Sequence, residues 1–384
     1  MIARISDNIY GVFMGQISFF DGANRFVLDK PVRLIELFAG YGSQALALKY
    51  LGIPFEHWKI SEWAYKSIQA YKDLHFENDN TDYSENLSSG DVTDFLFSCS
   101  ISANYNIPLT KQQIARYPES KRRQIYNNIK ATHNLGSVCN IHGDDLQIQE
   151  PNKYIYILTY SFPCQDLSSA GKTLGMQKGS NTRSSLLWEV DRILSECKIK
   201  PQLLLMENVP EVIGTKNIKS FSKWIERLDY FGYKSKWKIL NAKDFNVPQN
   251  RERCFMVSVL GDYYYDFPNK QGCSLMLKDV LDKNVDERYY INTKTIISLE
   301  EHRKRHEQLG HGFGWKPIDL NNTNEVKTIK TESGYRPDSN FIIEQTEYYG
   351  HQIGKSKEFT RPPMKNISRT ILTDGSNGVI EWKK

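Results

Sequence analysis

The sequence contains no Cys-x-x-Cys pair. Its six cysteines, Cys99, Cys139, Cys164, Cys197, Cys254 and Cys273, follow neither a disulfide framework nor the spacing of a structural zinc site. This usage points to a reducing compartment. No apolar run approaches the ~20 residues that a membrane-crossing helix needs, and the chain does not start with a charged-then-apolar signal pattern. A cytoplasmic protein with no membrane partner and no metal is expected. Net charge is also small, formally +5, which permits a nucleic-acid partner without demanding one. The 384 residues suffice for two domains, one with a large core.

What is present is an alternation of apolar runs and amphipathic stretches. Residues 1–30 form a leader with no clean period. Val32 to Phe38 reads as a strand, Ala39-Gly40-Tyr41-Gly42-Ser43 as a turn, and Gln44 to Tyr50 as a helix. Phe55 to Ile60 is a second strand, followed by Ser61-Glu62-Trp63 and a helix to about Tyr71. Such a βαβα opening is expected to build a doubly wound parallel sheet. From about 77 to 135 the rhythm breaks. This polar insertion is expected to hold helices near 110–132 and carries Lys111, Arg116, Lys121, Arg122, Arg123 and Lys130. Its cations read either as a solvated helix face or as a nucleic-acid contact.

The rhythm then returns. His142-Gly143-Asp144-Asp145 reads as a turn at a strand end, and Lys153 to Tyr160 as a strand. Ser185 to Cys197 is an amphipathic helix, Pro201 to Met206 a strand, and Ile218 to Leu228 a helix. Lys236 to Leu240 and Arg253 to Leu260 are strands. The α/β domain is thus placed at 31–260. From 261 to 384 the chain is rich in tyrosine, asparagine and glycine, with little periodicity, and reads as a smaller loop-rich domain with a basic stretch from Gly350 to Arg369.

The focal stretch is Ser161-Phe162-Pro163-Cys164-Gln165. It leaves a buried strand under the backbone restriction of a proline. It thereby puts a cysteine at a strand's C-terminal end, where open α/β sheets bind ligands. A glycine-punctuated segment follows, from Asp166-Leu167-Ser168 to Gly179. A lone cysteine of this kind is commonly a small buried hydrophobe. Other stretches change that balance. Phe38-Ala39-Gly40-Tyr41-Gly42, Pro163-Cys164-Gln165, Glu207-Asn208-Val209 and Gln249-x-Arg251-x-Arg253 occur in this order, each at the end of an expected strand. Over about residues 32 to 260 the chain resembles the DNA cytosine-5 methyltransferases.

The resemblance implies a Rossmann-like fold dependent on S-adenosylmethionine, with a duplex DNA substrate read by the C-terminal domain. Cytosine C5 is a poor nucleophile, and a thiolate adding at C6 makes it reactive. By resemblance Cys164 is that thiolate, Glu207 meets the N3 and N4 edge, Arg253 meets O2, and Arg251 supports the thiolate and its loop. The cofactor would lie against Phe38, Ala39, Gly40, Gly42 and Pro163, its ribose on Glu62, its adenine by Trp63 and by Asp144 or Asp145. Phe162, Gln165, Ser168, Asn208, Val209 and Gln249 would line the extruded base. Ser43 stands where many family members have another glycine. The family also continues into an Arg-rich motif and a Gly-Asn helix, whereas this sequence stops at Trp382-Lys383-Lys384. A second polypeptide carrying those parts, or a truncation, is therefore expected. Two other readings compete. One is an RNA cytosine-5 methyltransferase, disfavoured by the large domain after Gly261. The other is a non-catalytic DNA binder, disfavoured by intact Cys164, Glu207 and Arg253.

Overall fold

The structure, a computed structural model, describes residues 25–167, 175–282, 290–311, 315–320, 324–329, 337, 339–344 and 369–372. It divides into two compact units, Met1–Ile239 with Arg253–Phe267, and Leu240–Glu252 with Pro268–Lys384. The break after the α/β unit thus falls at Phe267 rather than at Gly261, and the segment before Arg253 belongs with the second unit.

The first unit is built on β1 (Val32–Leu37), β2 (Phe55–Ser61), β3 (Ile155–Tyr160), β4 (Leu203–Asn208), β5 (Tyr233–Asn241) and, after the short β6 (Gln249–Asn250), β7 (Glu252–Leu260). The sheet order is β2-β1-β3-β4-β7-β5. β1 pairs in parallel with both β2 and β3, β3 pairs in parallel with β4, and β7 runs antiparallel to β4. Every residue of β3 is buried. Helices cover both faces of such strands, and this is why β1 and β3 read as near-continuous apolar runs. The covering helices are α1 (Ser43–Tyr50) and α2 (Tyr65–His75), then, after three helices of the insertion, α6 (Leu187–Glu196) and α7 (Ile218–Tyr230). α7 buries Phe221, Trp224 and Leu228, spaced for one helical face.

β1 leads outward to β2, and the chain then returns to β3 on the other side of β1. That reversal is the topological switch point, where open α/β sheets bind ligands. Leu37 and Tyr160 are register partners, so the Phe38 turn and the Cys164 exit leave adjacent strands at one level.

The insertion between α2 and β3 holds α3 (Ser89–Ser98), α4 (Lys111–Ala115) and α5 (Glu119–Ala131). Capping boxes at Ser88 and Thr110 start the first two. Val92, Leu96, Ile101, Ile125 and Ile129 pack with Ile68 of α2 into a core of their own. Three of its cations brace the insertion from within, whereas Lys111 and Arg116 are exposed. Arg122 donates to Ser89 O (3.1 Å) and Thr93 Oγ1 (2.5 Å). Arg123 donates to Ser84 O (2.6 Å) and Leu87 O (3.0 Å). Lys130 lies 4.3 Å from the centre of the Phe95 ring.

One further expectation needs correction. No strand leads into His142, because the chain there is irregular and Gly143–Leu146 forms a 3-10 turn. Among the described residues of the second unit, α8 (Thr293–Gln308) is a regular helix that the sequence reading did not single out. Ile296 and Leu299 of α8 pack with Ile291, Trp315 and Phe341. β8 (Ile318–Asp319), β10 (Phe341–Glu344) and β11 (Arg369–Leu372) make a three-stranded sheet, and β6 pairs with β9 (Val326–Lys327). Apart from Arg369, the basic stretch from Gly350 lies outside the described residues.

Candidate active site

The turn after β1 is shaped by positive backbone angles at Phe38 (φ 58°), Gly40 (φ 57°) and Gly42 (φ 80°). Only glycine fits at 42, since a Cβ would come within 2.4 Å of His75 Nε2 and 2.6 Å of the Tyr71 ring. Around Gly40 the reverse holds: a Cβ would meet nothing within 4 Å, so the backbone there faces open space. Glu62, just past the end of β2, closes this cradle from one side. Its carboxylate accepts from the backbone N–H of Gly40 (2.9 Å) and of Ala64 (2.7 Å). Burial pushes the Glu62 carboxyl above its ordinary range, and those N–H donors pull it back. Each oxygen retains acceptor capacity. An open glycine backbone beside an acceptor acid fits the methionine part and the ribose of S-adenosylmethionine. Phe38 and Trp63 are half-buried beside it, and Ala39 is buried.

The two candidate adenine acids separate. Asp145 turns its carboxylate back to accept from His142 N (2.7 Å), so it shapes the 3-10 turn. Asp144 is exposed and has Lys198 at 3.5 Å, a weak surface pair.

At the exit of β3, Phe162 is buried, Pro163 and Cys164 are half-buried, and Gln165 is exposed. The backbone is tied down around the cysteine. Asn208 Nδ2 donates to Phe162 O (3.0 Å), Ser184 Oγ to Pro163 O (2.7 Å), and Leu167 N to Cys164 O (3.0 Å). The Asn208 bond locks the ends of β3 and β4 together, and the Asn208 Oδ1 also accepts from Val209 N (2.9 Å). Three other cysteines are shut in: burial pushes the Cys99 and Cys197 thiols up to about 11 and Cys254 to about 12. Inert packing suits those three.

Glu207 and Arg253 meet across the antiparallel pair β4–β7. Glu207 is the register partner of Phe255, and Arg253 stands two residues from it on the same face, a diagonal cross-strand neighbour. Arg253 Nε lies 2.9 Å from Glu207 Oε1, with both side chains about four-fifths buried. Acid, guanidinium and thiol thus lie along neighbouring strand ends. The acid can carry or release a proton, the cation can meet developing negative charge, and the thiol can add to an electrophilic carbon.

Gln249 and Arg251 belong to the second unit, where Gln249 is buried in β6 and Arg251 N donates to Asn241 Oδ1 (3.0 Å). Ser168 lies outside the described residues. Sequence reasoning missed Asp166 and Glu36. Asp166 is buried, takes Arg183 N on Oδ2 (2.7 Å) and Gly175 N on its carbonyl (3.0 Å), and so pins both sides of the segment after Cys164. Glu36 is a charge within an apolar strand, a signal that was available.

A doubly wound sheet with a glycine turn after its first strand and an acid after its second defines a Rossmann-like methyltransferase fold. The structure resembles the crystal structure of S. pombe Dnmt2 methyltransferase, at 12% identity and a TM-score of 0.52, over 83% of this chain and 77% of that one. The profile of the C-5 cytosine-specific DNA methylases matches residues 110–373, and the chain belongs to that family. It is 37% identical over 274 residues to Type II methyltransferase M2.ScrFI of Lactococcus lactis subsp. cremoris, covering 69% of this chain and 71% of the relative. It is 35% identical over 278 residues to Orphan methyltransferase M.SssI of Spiroplasma monobiae, covering 72% and 71%. No described helix is long and apolar enough to cross a membrane, and among the described residues no group of three or more His, Cys, Asp or Glu side chains could hold a metal ion.

Proposed function

We propose that this cytosine-5 DNA methyltransferase acts on one cytosine of a specific duplex sequence, extruded from the helix, through a covalent bond between Cys164 and C6 of the base. The setting is a bacterial cytoplasm, within restriction-modification or phage modification. The observation that carries the reading is the 2.9 Å Glu207–Arg253 pair at the strand end bonded through Asn208 to the Cys164 exit. S-adenosylmethionine, when bound, supplies an electrophilic methyl group. Glu62, Gly40 and Asp144 hold and orient it beside the switch point.

The Cys164 thiolate forms the S–C6 bond, and the C5=C6 electron pair becomes available at C5 for the methyl group. Negative charge spreading toward N3 and O2 meets a proton on Glu207 and the guanidinium of Arg253. Arg251 supports the thiolate and its loop. Loss of the C5 proton to a base and departure of the Cys164 thiolate restore the aromatic ring. Phe162, Gln165, Ser168, Asn208, Val209 and Gln249 surround the base. The second unit reads the sequence.

Duplex DNA carrying 5-fluorocytosine at the target has no C5 proton to lose and should stay covalently attached. The expected result is a denaturant-resistant complex that maps to Cys164 and is absent in Cys164→Ser, which still binds DNA. Full methylation by Cys164→Ser would remove the cysteine from the mechanism.

A further inference from the structure

β1 carries one acid deep among the apolar residues Leu34, Ile35 and Leu37. Glu36 is 1% exposed, and its two oxygens reach different elements. Oε2 accepts from the Tyr71 hydroxyl of α2 at 2.6 Å, and Oε1 lies 3.4 Å from the backbone N of Ala45 in the first turn of α1. With its proton given to Glu36, the Tyr71 oxygen accepts from His57 Nδ1 at 2.9 Å. His75 Nε2 donates to Tyr41 O at 2.9 Å, and His75 and Tyr71 together press on Gly42. The floor beneath the 38–42 turn is therefore a chain of hydrogen bonds from β1 through α2 to β2, joined to the start of α1.

We infer that Glu36, Tyr71 and His75 are positioning residues for the methyl-donor site, holding the turn in its binding shape from beneath, and that the charge on Glu36 decides how firmly it is held. This rests on the reading that the turn binds S-adenosylmethionine. An ionised carboxylate is the stronger acceptor for both the tyrosine hydroxyl and the helix N–H. Burial pushes the Glu36 carboxyl up to about 7, against those donors. The other titratable groups at this network and turn are His57 on β2, His75 on α2 and Glu62, which accepts from Gly40 N, with His133 and Lys49 beside His57. Burial holds His57 down at about 4 and His75 below its ordinary range, so His57 is neutral near pH 7. Glu62 is also raised by burial but is intact in Glu36→Gln, so that variant assigns the change to one carboxyl or the other.

Stability and binding should then move in opposite directions. The folded carboxyl titrates above its unfolded value, so its contribution to stability is full below the unfolded value and is lost as pH rises through about 7. Ionisation weakens the fold while it firms the turn.

The test is calorimetric binding of S-adenosylmethionine to the full chain between about pH 6 and about pH 8.5, with thermal denaturation alongside. Wild type should bind roughly fivefold more tightly at the alkaline end. Glu36→Gln should lack that step, bind more weakly than wild type at the alkaline end, and yet denature at a higher temperature there. Tyr71→Phe removes a donor to the carboxylate and should shift the step to higher pH. DNA affinity should be unchanged in both. A wild-type step that survives in Glu36→Gln, or one that vanishes in His75→Gln but not in Glu36→Gln, overturns the inference alone. A wild-type chain that binds no S-adenosylmethionine at any pH overturns the cofactor reading and this inference with it.

Discussion

At the scale of single residues, Glu62 combines a structural task with its proposed contact to the ribose. Its bonds to Gly40 N and Ala64 N fix the geometry of the glycine turn before any ligand arrives. The same oxygens, facing an open backbone at Gly40, can accept ribose hydroxyls. Preorganisation of this kind reduces the ordering cost of binding. Glu62→Ala removes an acceptor from two backbone donors and from the ligand. Cofactor affinity should fall by ~1.5–3 kcal/mol, the range for a hydrogen bond to a charged group. DNA affinity should change far less. Calorimetry with each ligand separates the two, and unchanged cofactor affinity would take Glu62 out of the site. From sequence, Glu62 was legible as an acid at the end of a second strand. Its grip on Gly40 was not, because it depends on how the turn folds back in space.

At the scale of elements, legibility followed periodicity and burial. β1, β3 and β4 stood out because strands covered on both faces are apolar at nearly every position. α7 was clear from its apolar stripe. α8 was missed because Thr293–Gln308 reads as mostly polar and buries only a short stretch around Ile296 and Leu299. The insertion misled in another way: its basic residues looked like a surface, but Arg122 and Arg123 turn inward to cap carbonyls of α3 and the preceding loop. This distinction can be measured. A cation neutralising a DNA phosphate contributes about 0.9 to the slope of log affinity against log salt, and its loss lowers that slope by about one. Arg122→Met should leave the slope intact while lowering the melting temperature, since it strips the donor from Ser89 O and Thr93 Oγ1. A lower slope with unchanged stability would return Arg122 to the DNA surface.

At the scale of the whole molecule, the chain crosses between its two units three times, and the Gln249-x-Arg251-x-Arg253 motif spans one of these crossings. Arg253 belongs with Glu207 in the sheet-bearing unit, whereas Gln249 and Arg251 belong with the second unit. A contiguous motif in sequence is thus divided between two bodies, which no local pattern could reveal. The division also guides a domain exchange. An exchange beginning at Gly261 would cut off the segment through Phe267, which packs with the sheet: Lys236 pairs with Asp266 at 2.6 Å, and Tyr263 meets Phe26 edge-on. Beginning at Pro268 keeps those contacts and leaves Cys164, Glu207 and Arg253 untouched. Replacing residues 268–384 by the matching part of a relative with a different target should move methylation to that relative's sequence. The rate of the chemical step should change little, because no proposed reacting group is exchanged. Bisulfite sequencing of the product DNA reads the target, and single-turnover methyl transfer reads the rate. Retention of the original target by an active exchange protein would place sequence readout in the first unit or in Leu240–Glu252 instead.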